Sequence, residues 1–89
     1  MTEPMTLDSL LLVGLEETKI DAHEKHVADL LMIDVDRLKA ACLKLARAEL
    51  LVDAGHEEDL GTAWEPHPKD IDGLREKARA AGLDLSQRV

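Results

Sequence analysis

The stretch Lys25 to Val52, KHVADLLMIDVDRLKAACLKLARAELLV, decides the reading of this chain. In it Val27, Leu30 and Leu31 share one helical face with Ala28 beside them, Ile33 and Asp34 interrupt the pattern, and Leu38, Ala41, Cys42, Leu45 and Ala48 resume it at i, i+3, i+4, i+7 spacing. Two amphipathic helices joined by a tight turn are expected. The earlier runs from about Ala22 to Met32 with Asp21 as a candidate cap, and the later is capped by Asp34 or Asp36 and ends near Glu49.

Upstream, Leu7, Leu10, Leu11 and Leu15 recur at helical spacing behind Thr6, an N-cap residue, which predicts a helix from about Leu7 to Glu17. Thr18 to Asp21 holds the β-branched pair Thr18 and Ile20 and is expected to be a short strand or extended link. Downstream, the apolar run Leu50 to Val52, the polar stretch Asp53 to Gly61 and the run Thr62 to Trp64 predict a β-hairpin. Glu65-Pro66-His67-Pro68 is expected to end regular structure, because proline lacks an N–H and disfavours helix in the residue before it. A last helix, about Lys69 to Ala81, carries Ile71, Leu74 and Ala78 and closes on Gly82, after which Leu83 and Leu85 are expected to pack back.

With 89 residues there is room for one domain and one core. Trp64 is the one aromatic residue, so that core is aliphatic, and Trp64 is expected to cover the hairpin against it. Cys42 is the one cysteine, which excludes an internal disulfide and favours a reducing compartment. No apolar stretch is long enough to span a bilayer and Met1 to Met5 lacks a basic region, so a cytoplasmic protein is expected.

The segment Lys25 to Val52 resembles the helix-turn-helix of MarR-like winged-helix transcription regulators, over roughly residues 20–65. The points of likeness are a "VA-x-x-L" helix, a turn after an isoleucine, apolar residues at Leu38, Cys42 and Leu45, and an "A-G-L-V"-like end, here Ala48-Glu49-Leu50-Leu51. The resemblance implies a mainly α fold with a small β-hairpin. It is a winged helix-turn-helix of three core helices, a wing and a C-terminal helix, with the helix-turn-helix at 22–49, the wing at 50–65 and the last helix at 69–81. It also implies a small DNA-binding transcription regulator whose third helix enters the major groove of double-stranded DNA. Carried over by position, the outward early residues are Val35, Asp36, Arg37, Lys39 and Ala40. Arg37 and Lys39 are expected at base edges, with Lys44 and Arg47 at phosphates. A homodimer, with the first and last helices as its interface, would add the affinity that one small module lacks.

The net charge of −8 is unevenly spread. Residues 34–49 hold four bases against three acids and residues 69–89 five against four, whereas residues 1–33 hold two bases against seven acids and residues 50–68 five acids with no Lys or Arg. Asp34 and Asp36 stand where the helix tip would approach phosphate. Asp53, Glu57, Glu58 and Asp59 give a wing that repels DNA instead of gripping it. Leu43 falls on the outer side of the third helix, where it suits a protein contact or is a scattered surface leucine. A second expectation follows, in which the acidic surfaces bind a basic nucleic-acid-binding protein, as a phage-type inhibitor or anti-CRISPR-like DNA mimic does.

Other chemistry finds little support. His23 and His26, three apart, and His56 and His67 near the wing lack a metal-binding pattern and are expected to be solvated, and Glu57 to Asp59 lacks the alternating ligands of a calcium loop. Cys42 faces the predicted core, and there is neither a phosphate-cradling glycine loop nor a Gly-x-Ser-x-Gly, so no enzyme, cofactor or metal is expected.

Overall fold

A computed structural model describes residues 6–17 and 22–88 of the chain. Its elements run α1 (Leu7–Glu17), α2 (Glu24–Leu31), α3 (Val35–Arg47), β1 (Leu51–Glu57), β2 (Gly61–Pro66) and α4 (Ile71–Ala80). Three helices, an antiparallel hairpin and a fourth helix, in that order, make a mainly α fold with a small β-hairpin and a C-terminal helix.

Helix α1 begins where its cap predicts, with Thr6 Oγ1 accepting the Ser9 N–H at 3.1 Å. It buries Leu7, Leu10 and Leu11. Helix α2 is shorter than the sequence pattern suggests, starting after His23, which makes no side-chain capping bond; the cap candidate Asp21 and the expected link Thr18–Asp21 lie outside the described residues. Just beyond them the chain does run beside the hairpin. His23 bridges antiparallel to Ala63, the Trp64 N–H donates to Ala22 O at 3.3 Å, and the Lys25 N–H donates to Leu60 O at 3.0 Å.

The turn between α2 and α3 closes through Met32 in the left-handed conformation (φ 57°), with the Ile33 N–H donating to Ala28 O at 3.0 Å. Leu38, Ala41, Cys42 and Leu45 then bury the inner side of α3 in a cluster with Val27, Ala28, Leu50 and Leu51. Truncating one of these leucines to Ala would cost about 2–5 kcal/mol. Leu30 departs from expectation: it is 52% exposed, because on an eight-residue helix it falls outside the stripe that faces α3. That stripe is Glu24, Val27, Ala28 and Leu31, at i, i+3, i+4, i+7.

After α3 the chain turns through Glu49, whose φ of 61° is in the left-handed region that glycine adopts readily. The hairpin is longer than the two apolar runs imply. Leu51 pairs with Pro66 and Glu57 with Gly61, with a register shift between Asp53 and Gly55. Glu65 and Pro66 therefore belong to β2 instead of ending it; Pro66 sits at the terminal pair, where a missing N–H is tolerated. Strand β2 is the inner strand, half-buried against the helices, while β1 beyond Leu51 is the exposed edge.

Helix α4 starts two residues later than expected, with Asp70 capping it by accepting the Gly73 N–H at 3.0 Å. It ends as the sequence suggests. Gly82 takes φ 79° and the Leu83 N–H reaches back to Ala78 O at 2.9 Å, which turns Leu83 and Leu85 onto the core. None of the helices among the described residues is long and apolar enough to cross a membrane.

Candidate nucleic-acid interface

The packing of α3 decides what it shows to the outside. At about 100° per residue, the buried set Leu38, Ala41, Cys42 and Leu45 centres on one side of the helix, and the opposite crest carries Asp36, Ala40, Leu43 and Arg47. Arg37 and Lys44 fall on one flank of that crest and Lys39 on the other. All four bases are exposed.

The flanks have different neighbours. Arg37 and Lys44 line an open depression of about 200 Å³ with Ala40, Ala41 and Arg88. Lys39 and Leu43 line a second, also about 200 Å³, against the hairpin residues His56, Thr62 and Trp64 and against Glu24. The four basic residues singled out from sequence thus do not form one patch. Two meet on one side, joined by Arg88, and Lys39 faces the wing beside Leu43, which is 49% exposed.

The acids divide as well. Asp34 holds the N-cap position of α3 in an extended conformation, yet its carboxylate makes no capping bond and stays at the surface, as does Asp36. Two acidic residues therefore stand exposed at the tip of the helix. On the wing, Asp53 Oδ1 accepts the Gly55 N–H at 2.8 Å and shapes the register shift of β1. Glu57, Glu58 and Asp59 are exposed around the hairpin turn, and none of these four lines the groove beside Leu43. Charge on an exposed edge strand also blocks pairing with another chain.

Glu24 is the residue that sequence reasoning missed. It is 3% exposed and its Oε1 accepts the Thr62 N–H at 2.7 Å, fastening β2 to the start of α2. The signal was present in the sequence, since Glu24 stands three and four residues before Val27 and Ala28, on the buried stripe. Arg88 was missed too, and no local pattern marks a residue that reaches α3 from so far along the chain.

Cys42 is buried, and its thiol is pushed up to about 12, chiefly by burial and further by the Glu24 carboxylate. It stays protonated and is not an available nucleophile. His56 Nδ1 pairs with Thr62 Oγ1 at 3.1 Å, and among the described residues no group of three or more His, Cys, Asp and Glu is gathered to hold a metal. Trp64 packs partly buried against the core, as expected, with its Nε1 lacking a hydrogen-bond partner among the described residues.

No family model, no curated protein and no solved structure matches this chain.

Proposed function

We propose that the chain is a small DNA-binding regulator of the MarR-like kind, acting in the cytoplasm as a binder and not an enzyme, which lays α3 in the major groove of duplex DNA. The observation that carries the reading is α3, a 13-residue helix with Arg47 on its outward crest and Arg37, Lys39 and Lys44 exposed on its flanks. A helix of that length is about 20 Å long, and an α-helix, roughly 10–12 Å across with its side chains, fits the groove's width. Arg37 and Lys39 stand in the first two turns, where a recognition helix meets base edges; Lys44 and Arg47 stand further along, where it meets phosphate. Two copies on one site would supply two such helices a helical turn apart. The test is retention of duplex fragments of its own genome at low ionic strength. Enrichment of particular fragments supports the reading, and no retention defeats it.

A specific observation favours a second reading, in which the wing binds a basic nucleic-acid-binding protein. Glu57, Glu58 and Asp59 are all exposed at the hairpin turn, and no Lys or Arg of the wing is present to meet phosphate. Leu43, in the groove beside the hairpin, would add an apolar contact. Replacing Glu57, Glu58 and Asp59 by Ser abolishes capture of such a partner under this reading, and leaves or improves DNA binding under the first.

A further inference from the structure

The segment after α4 is tied by its backbone to the start of α1. The Leu7 N–H donates to Gln87 O at 3.1 Å and the Asp8 N–H to Leu85 O at 3.2 Å, and Thr6 bridges antiparallel to Arg88. The turn before it is set by Asp84, whose Oδ1 accepts from the Ser86 N–H at 2.9 Å and its hydroxyl at 2.7 Å. Those two bonds, the hydroxyl's first, hold the Asp84 carboxyl below its usual range, so it stays charged and engaged in the turn. Leu83 and Leu85 pack on the core between these anchors. Arg88 is thereby placed, by bonds on both sides of the turn, at the depression lined by Arg37, Ala40, Ala41 and Lys44.

Three cationic residues and two alanines then line one opening. Methyl groups let an anionic oxygen come close to the helix backbone, and cations converging from two separate segments make a focus of positive potential on a chain of net charge −8. A single phosphate offers several acceptor oxygens and suits the planar fork of an arginine beside a lysine.

We infer that this depression is a backbone-phosphate site of the DNA-binding face, and that Arg88 grips the phosphate together with Lys44, with Arg37 at the rim. The inference rests on the DNA reading proposed above and adds the segment 83–88 to the interface. It gives the segment a positioning job: the backbone bonds to the start of α1 fix where the guanidinium arrives.

The test compares the full chain with Arg88→Gln, Arg88→Lys and Arg79→Gln in titrations of one labelled duplex over a range of salt. Arg79 is exposed on α4 and outside the depression, so its variant carries the same charge change elsewhere. Neutralising one phosphate contributes about 0.9 to the slope of log affinity against log salt. Arg88→Gln should lower that slope by about 0.9, so that tenfold lower salt gains it about eight-fold less affinity than wild type. Arg88→Lys should keep the slope and Arg79→Gln should leave it unchanged. Wild type binding duplex with Arg88→Gln at the wild-type slope, and with an unchanged melting temperature, overturns the inference and leaves the DNA reading standing. Wild type failing to bind duplex overturns both.

Discussion

The Glu24 carboxylate lies buried beneath the hairpin and accepts the backbone N–H of Thr62 at 2.7 Å. It is a side-chain tie between the start of α2 and the inner strand of the hairpin, beside the backbone bonds of Ala22 and Lys25. Glu24→Ala should cost about 2–4 kcal/mol, since it leaves a half-buried N–H unpaired and a space behind it. Glu24→Gln keeps an acceptor oxygen in place and should remain within about 1 kcal/mol of wild type. Urea unfolding measures both, and faster hydrogen exchange at the Thr62 amide in Glu24→Ala would locate the damage.

Gly61 shares that contact. A Cβ there would stand 3.0 Å from Glu24 Oε1 at a backbone φ of 85°, which L side chains rarely adopt. Gly61→Ala combines left-handed strain with displacement of the carboxylate, and is expected to destabilise by about 2 kcal/mol or more. For a chain of this size that lowers the melting temperature by about 10 °C. Calorimetry checks it.

Two substitutions should act in the opposite direction. Gly14 lies inside α1, and a Cβ there meets Leu51 and Pro66 at an ordinary 3.9 Å, so Gly14→Ala gains helix propensity without a clash. Glu49 adopts φ 61°, so Glu49→Gly relieves left-handed strain. Each should raise stability by about 0.5–1 kcal/mol, read as a higher urea midpoint at unchanged slope.

Cys42 links stability to alkaline pH. Its thiol is pushed up to about 12 in the folded protein from an ordinary value of 9.0, so the folded state holds its proton where the unfolded chain has released it. The contribution is therefore fully present below pH 9 and is lost as pH rises from 9 toward 12. The stability of wild type should fall faster over that window than that of Cys42→Ala, by unfolding at a series of pH values. Native protein at pH 8 should also resist maleimide until denaturant is added.

The extent to which this fold could be read from sequence varied with the length of the periodic segments. Helix α1, the inner side of α3 and the Gly82 cap follow from leucine spacing and one glycine, because a core helix repeats its signal over several turns. Helix α2 has only two turns, too few to fix its phase from apolar residues alone. Leu30 was therefore placed inward although it is exposed, and the buried stripe begins with a carboxylate that reads as an ordinary polar residue of a helix start. The hairpin was foreseen at its apolar ends and underestimated in its polar middle, where pairing is made by backbone and not by side chains. Within the candidate interface the basic residues of α3 were legible as a face. Their division between two flanks, and the arrival of Arg88 on one of them, depend on tertiary geometry that local spacing does not encode.

Under the proposed function, α3 and not the hairpin engages duplex DNA. This is tested most directly by fluorescence anisotropy of an enriched genomic duplex, titrated with wild type, with Arg37, Lys39, Lys44 and Arg47 all changed to Gln, and with Glu57, Glu58 and Asp59 all changed to Ser. The first variant should lose binding and the second should bind at least as tightly as wild type, since it removes charges that repel phosphate. Undiminished binding by the α3 variant, or loss of binding in the wing variant, would contradict it.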